Sequence, residues 1–419
     1  MEEVKEGDNE SNGEKKNASV NEKKKIIAIF NNFKPEILIE YCFGIYRFQN
    51  IDGELRPPNW KMKVCGIFIF FIYTIVFSWF MFFVPDPEAS NSLEQSEIMT
   101  TLDSIPSFVV LFQYAALIVT TNFFSSMNIR IITLLAEVDK TLQLEICTDF
   151  YKKMSSRISK FLIFITISHV VNGLMDLITV ADRAWAITVF PLYFVQRFEV
   201  FIFCAYVIVV NGRLAVINNY LKEFNQEQDK KNVTVFTVKD TKIKTEKSFN
   251  YIGRPSVRNM KIRDLATTYD NIGEICFMMN DVFNFQIFLT LVSAFVYIVI
   301  TIWTSLSFYR ATAYSANTLI NNAIWCFNTI CNVATMSFTC ERLLISRNET
   351  RILVNKIIMN YDLPKTMRVQ AKAFMELVEA WPLRIYVYDM FSIDIKLMLK
   401  FISVATTYLI VIIQISHFV

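Results

Sequence analysis

The sequence predicts an all-α membrane protein with seven transmembrane helices, a cytoplasmic N-terminus and an extracellular C-terminus. Three observations support this fold class. The chain of 419 residues is 53% hydrophobic and 15% aromatic but only 19% charged, which is too apolar for a soluble protein of this length. Seven stretches are long enough to cross a bilayer, and basic residues concentrate in alternate connections between them.

Each of the seven stretches contains about 20 mostly apolar residues, the length that a helix needs to cross the hydrocarbon core. They are residues 64–84, 102–124, 161–180, 187–211, 286–308, 319–340 and 397–418. The first is the most apolar of them. The third, fourth and sixth carry polar side chains, so we expect these helices to bury polar groups against one another.

The positions of Lys and Arg predict the orientation. Among the 42 basic residues the exceptions to this pattern are Arg183, Arg197 and Arg310. The others precede the first stretch, or lie within or at the edges of every second connection between stretches. The connection 85–101 has no basic residue. By the positive-inside rule the N-terminus is cytoplasmic, and seven crossings place the C-terminus outside. A G-protein-coupled receptor has the opposite orientation.

Composition along the chain predicts four regions. Residues 1–60 form a cytosolic leader, disordered at first and then a short interfacial helix near 36–49. Residues 61–340 form a six-helix bundle with cytoplasmic helical extensions and a polar, disordered insert near 225–258. Residues 341–396 form a cytoplasmic helical linker, and residues 397–419 form the last helix.

Motifs for catalysis, metal binding and nucleotide binding are missing from the sequence. The chain has only two histidines, His169 and His417, and has neither a Cys-x-x-Cys pair nor a glycine-rich phosphate loop. None of the eight cysteines falls in a predicted extracellular loop. We therefore expect no enzyme activity, no cofactor, no metal and no nucleic-acid partner.

The last helix carries a motif. Thr407-Tyr408 is followed by five apolar residues and Gln414, and this pattern resembles the TYhhhhhQF signature of insect gustatory receptors. The segment from Phe391 to Leu397 also resembles that family, whereas Ile415 departs from it where the signature has Phe. The resemblance implies a ligand-gated cation channel of the plasma membrane. It also implies a homotetramer, or a heteromer with related receptors, in which the last helix lines a central pore.

The last helix has a face suited to a pore. Val411, Gln414, Ile415 and Phe418 recur at helical spacing, and we include Thr407, one turn earlier, in the pore-lining set. Four copies would form hydrophobic rings with one amide collar, an arrangement that can gate by dewetting. The alternative is that this face packs on another helix, with Gln414 in an interhelical hydrogen bond.

Polar and aromatic residues near the predicted extracellular ends of the helices form the candidate ligand site, because small-molecule pockets combine aromatic walls with a few polar groups. They are Asn172, Asp176, Tyr193, Gln196, Arg197, Trp303, Asn321, Asn322 and Trp325. For the two tryptophans the alternative is anchoring at the membrane interface. Burial of Arg197 requires a counter-charge, for which Asp176 is a candidate, and Glu199 needs a separate partner or water.

The sequence thus predicts a gustatory receptor that a small-molecule tastant opens. A bitter plant compound is the preferred ligand class because the site is more aromatic than a sugar site would be. A sugar receptor of the same architecture, an odorant receptor subunit and a G-protein-coupled receptor are the alternatives.

Overall fold

The computed structural model describes residues 34–51, 54–83, 93–144, 148–179, 183–234, 262–310 and 316–418. Within them the helices are α1 (Lys34–Cys42), α2 (Trp60–Phe83), α3 (Leu93–Phe123), α4 (Ser125–Thr141), α5 (Thr148–Thr179), α6 (Arg183–Thr234), α7 (Ile262–Arg310), α8 (Ala316–Met359), α9 (Lys365–Ala380) and α10 (Ile395–Phe418). Two short antiparallel hairpins pair β1 (Gln49–Ile51) with β2 (Glu54–Arg56), and β3 (Tyr386–Val387) with β4 (Phe391–Ser392). The all-α prediction is confirmed.

Six described helices are long and apolar enough to span a membrane, namely α2, α3, α5, α6, α7 and α10. The remaining predicted span, 319–340, lies within α8, where Asn321, Asn322, Asn328 and Asn332 lower its hydropathy. Helix α8 packs along α5 and α6, so these polar groups can find partners on neighbouring helices.

Three of the helices are much longer than a membrane is thick. Helices α6, α7 and α8 contain 52, 49 and 44 residues, or about 66–78 Å at 1.5 Å per residue, against about 30 Å for the hydrocarbon core. Consecutive spans alternate in direction, so the extensions of these helices emerge on the same side. Helix α9 packs against α7 and α8 there, and the largest hydrophobic core continues through this region.

The N-terminal segment differs from its prediction. The expected helix 36–49 ends at Cys42, and the chain then turns back and forms the β1–β2 hairpin. Gly44 permits this reversal with a φ of +70°, and a Cβ there would lie 2.9 Å from the Gly66 Cα on α2. The segment therefore packs on the bundle.

The first residues of the segment that the sequence predicts to be a disordered insert are helical. Helix α6 continues to Thr234, inside the segment 225–258. The rest of that segment, and residues 1–33 of the predicted leader, lie outside the described residues.

Candidate functional site

Helices α5, α6 and α8 bring together a group of polar and aromatic side chains, which we call the Trp325 cluster: Asp176, Tyr193, Arg197, Asn321 and Trp325. Trp325 Nε1 and Asn321 Nδ2 both donate to Asp176 Oδ1, each at 2.8 Å. The Arg197 guanidinium carbon lies 5.1 Å from the centre of the Trp325 ring, a cation–π contact.

Arg197 does not form a close ion pair with Asp176, the candidate counter-charge, although the two opposite charges lie near enough to attract each other. Two neutral donors occupy one carboxylate oxygen of Asp176, and Arg197 lies on the tryptophan ring instead. Glu199 does have a separate partner, as predicted. Its carboxylate accepts a hydrogen bond from Arg47, which precedes the first span.

Aromatic rings line the Trp325 cluster. The Tyr193 ring centre is 5.3 Å from that of Trp325 and 5.9 Å from that of Tyr297 on α7. His169 on α5 lies 6.1 Å from Trp325, edge to face. Rings at these separations are in contact, so the cluster is closed in this conformation.

Three buried polar atoms at the edge of the cluster have no hydrogen-bond partner among the described residues: Asn172 Nδ2, Asn321 Oδ1 and His169 Nδ1. Asn172 Oδ1 accepts from Asn328 Nδ2 at 2.9 Å, and His169 Nε2 lies 3.0 Å from the Phe190 carbonyl. Protonation of Nε2 makes Nδ1 an acceptor. The cluster and its edge therefore contain one amide donor and two acceptors that have no partner among the described residues.

Gln196 belongs to a different polar group, the glutamine cluster, formed by Gln113, Gln196, Thr290 and Ser293 of α3, α6 and α7. Gln196 Nε2 donates to Gln113 Oε1 at 2.9 Å, and Gln113 Nε2 donates to Thr290 Oγ1 at 2.7 Å. The space beside this cluster has essentially no room for a water molecule, so it is far smaller than the roughly 300 Å³ of small ligand pockets.

Two predicted site residues lie apart from both clusters. Asn322 donates to Ser305 Oγ at 3.0 Å and so joins α8 to α7. Trp303 is half-buried on α7. The sequence analysis missed Gln113, Tyr297 and Asn328, although an amide or phenol inside an apolar helix is the same signal that identified Asn172.

Helix α10 packs on α7 and α8 through one face, with Ile412 buried and the Tyr408 ring 5.2 Å from that of Phe295. Thr407, Val411 and Gln414 are exposed on another face. The side chains of Ile415 and Phe418 lie outside the described part of α10. Only 11% of the most apolar stretch of α10 is buried, against 72% of the corresponding stretch of α6. Most of the surface of α10 therefore faces away from its own bundle.

The sequence model of one protein family, described as 7tm chemosensory receptor, matches residues 38–417. The chain belongs to this family. The match confirms the resemblance drawn from the last helix, and it covers the bundle, the linker and α10 together.

Solved structures with the same fold agree with this assignment. The receptor is similar to the insect olfactory receptor OR5 from Machilis hrabei, with a TM-score of 0.64 and 11% sequence identity over 93% of this chain and 99% of that chain. The same receptor in complex with eugenol gives a TM-score of 0.64 and 12% identity, with the same coverage. No curated protein matches the sequence.

The family assignment fixes the class of the protein. It is a multi-pass membrane protein of a chemosensory receptor family rather than of an enzyme family, and a plasma-membrane location is consistent with this class. The seven-helix fold class is confirmed, whereas the side of the membrane on which each terminus lies stays a prediction.

Proposed function

We propose that this receptor is a tastant-gated, non-selective cation channel subunit, and that the Trp325 cluster binds the tastant. The buried hydrogen-bonding atoms without partners beside the Trp325 ring support this proposal most directly. An aromatic wall with a few convergent polar groups suits a small aromatic molecule that carries a hydroxyl or carbonyl. A bitter plant compound of this kind fits better than a sugar, which needs more polar partners.

Because the rings of the cluster are in contact, a ligand enters by separating Tyr193 from Trp325. It then stacks on the indole and bonds to Asn172 Nδ2 and Asn321 Oδ1. Binding therefore displaces side chains of α6 relative to α8, which gives the ligand a direct effect on helix packing.

The ligand site is tested by replacing Asn172, whose free amide donor should contact the ligand. Eugenol, the ligand of the OR5 complex, is the first agonist to apply, followed by panels of bitter compounds, sugars and volatile odorants. Asn172→Ala should raise the half-maximal agonist concentration roughly three- to tenfold, the effect of one hydrogen bond. Ser168→Ala is the control, because within the described part of the chain the Ser168 hydroxyl bonds to Asn328, at 3.1 Å, and to no other side chain. Equal shifts in both variants would contradict the assignment.

Helix α10 is the proposed pore lining. Exposed side chains of α2 between 64 and 79 are apolar apart from Cys65, as lipid requires, whereas α10 exposes Ser403, Thr406, Thr407 and Gln414. The two threonine hydroxyls bond to their own helix, at 2.8 and 2.9 Å. Gln414 is then the side chain best placed to contact ions or water.

A homotetramer, or a heteromer with related receptors, would close this pore. Exposed apolar side chains also recur every seven residues along the extension of α8, at Ile345, Ile352 and Met359. Such a stripe outside the membrane suits a contact with a second copy of the chain. Cross-linking of an Ile352→Cys variant should give covalent dimers in intact membranes, because each subunit supplies one new thiol.

Voltage-clamp recording of the chain expressed alone tests the channel. Gln414→Glu would place several carboxylates in one collar and should shift relative permeability toward divalent cations, measured as a shift in reversal potential. Ile402→Glu, also exposed on α10 but about 120° around the helix from Gln414, is the control. Agonist responses that disappear when G proteins are inhibited would instead favour a G-protein-coupled receptor, as would an N-terminal tag that can be labelled on intact cells.

A further inference from the structure

The segment between α9 and α10, residues Trp381–Asp394, docks on α7 through side chains of that helix; we call it the pore-helix linker. It contains the β3–β4 hairpin and leads directly into α10. Asn280 and Asn284, one turn apart on α7, contact the hairpin. Residues four apart lie on the same helix face, so both amides point toward the linker.

The two asparagines bond to the backbone of the linker. Asn280 donates to the Arg384 carbonyl and accepts from the Tyr386 N–H, both at 3.2 Å. Asn284 Oδ1 accepts from the Tyr388 N–H at 2.8 Å. The amides thus satisfy hairpin groups that would otherwise need water or another strand.

A third contact fixes the start of the linker. Trp381 Nε1 donates to Asp270 Oδ1 at 2.7 Å, and the Tyr269 hydroxyl donates to the Trp381 carbonyl at 2.9 Å. The contacts span residues 269–284 of α7, about 22 Å along the helix.

The linker holds an unfavourable backbone conformation while it is docked. Leu383, Tyr388 and Asp389 have φ values of +47°, +48° and +56°, in the left-handed region that non-glycine residues avoid. Such residues persist only where surrounding contacts determine their conformation. Asn284 supplies such a contact to Tyr388, and the hairpin closes the same turn with a bond from the Met390 N–H to the Val387 carbonyl at 2.9 Å. The conformation of this turn therefore depends in part on the position of α7.

The same helix reaches the other functional regions. Tyr297 of α7 contacts Tyr193 beside the Trp325 cluster, and Thr290 and Ser293 belong to the glutamine cluster. At the other end of the linker, Asp394 Oδ1 accepts from the Lys396 N–H at 2.9 Å and caps α10. Helix α7 therefore connects the Trp325 cluster, through the pore-helix linker, to the start of α10.

We propose that Asn280 and Asn284 are the positioning residues through which a displacement of α7 moves α10, an inference that rests on the proposed channel function. The hydrogen-bonded linker gives α7 a mechanical connection to the first turn of α10. Removing these bonds should uncouple opening from ligand binding without changing the ligand site.

Asn284 offers a matched pair of variants. Asn284→Leu keeps the side-chain size but removes the acceptor for the Tyr388 N–H, whereas Asn284→Asp keeps that acceptor. Two quantities are measured at equal surface expression: maximal agonist-evoked open probability, and eugenol binding to purified protein as a ligand-dependent rise in melting temperature. Asn284→Leu should reduce the opening equilibrium roughly three- to tenfold and leave binding unchanged, and Asn284→Asp should restore opening.

The possible outcomes separate this inference from the proposed function. Wild-type channels that respond to agonist, with an Asn284→Leu variant that opens equally well, would overturn the role of the linker alone. The role of the linker is also overturned if Asn284→Leu reduces eugenol binding and channel opening together. It is likewise overturned if Asn284→Asp opens as poorly as Asn284→Leu. If the wild-type protein binds eugenol but no agonist evokes a current, the channel function and this inference are both overturned.

Discussion

Arg47 should be one of the most important residues for the stability of the receptor. It precedes the first span, is buried, and bonds to Glu40 at 2.6 Å and also to Glu199 of α6. Its guanidinium carbon also lies 5.3 Å from the centre of the Phe283 ring on α7. This one side chain therefore joins the N-terminal segment to the middle of the bundle.

The magnitude follows from the charges that remain when Arg47 is removed. Removing one partner of a buried ion pair costs about 3–5 kcal/mol, because the other charge is left unpaired. Arg47→Met leaves two buried carboxylates, so we expect the upper end, about 5 kcal/mol. For a chain of 419 residues this corresponds to a fall of roughly 5–10 °C in melting temperature.

The assay is thermal unfolding of detergent-solubilised receptor, followed by size-exclusion chromatography. Arg56→Met is the matched control, because the Arg56–Glu54 pair has side chains 58% and 43% exposed and such pairs contribute little. Adding Glu40→Gln and Glu199→Gln to Arg47→Met should recover most of the loss. If Arg47→Met unfolds at the same temperature as Arg56→Met, the reasoning about the buried charges is refuted.

Three further predictions concern single residues. Burial raises the pKa of Glu36 from 4.5 to about 7, so the folded state favours the protonated carboxyl. The melting temperature of the receptor should therefore fall as pH rises from 5 to 8. The Glu36→Gln variant should show a smaller fall over the same range. Gly273→Ala should lower the free energy of unfolding by about 1–3 kcal/mol, because a Cβ there would lie 2.4 Å from the Trp381 ring. Gly212→Ala should lower it less, because the new Cβ meets the flexible end of the Met154 side chain. Asp389→Gly should raise the melting temperature slightly, since glycine adopts a φ of +56° without strain.

The relative height of these polar residues along neighbouring helices could be predicted from the sequence, but the direction of each side chain could not. Asp176, Asn321 and Trp325 were grouped because polar and aromatic residues lie at corresponding heights of three predicted helices, and the structure brings them into contact. Arg197 lies at the same height yet contacts the indole face. Which of two neighbours a long side chain meets depends on the rotation of each helix, and no periodic pattern records that rotation.

The hairpins and the Arg47 contacts were missed for a different reason. Strands of two or three residues are too short to show an alternating pattern, so 381–394 read as part of a helical linker. Arg47 and Glu199 are separated by 152 positions. In the sequence Arg47 counted only as one of many basic residues before the first span, and its burial depends entirely on tertiary packing.

The two buried polar clusters differ in a way that bears on function. Gln113, Thr290 and Ser293 have no unpaired buried side-chain atom, as expected of polar groups that serve to join helices. Asn172, Asn321 and His169, all near Trp325, each leave one atom unpaired. An unpaired buried donor or acceptor costs about 1–3 kcal/mol, and apolar residues would remove that cost. Under the proposed function, a ligand that bonds to these atoms recovers that free energy as affinity.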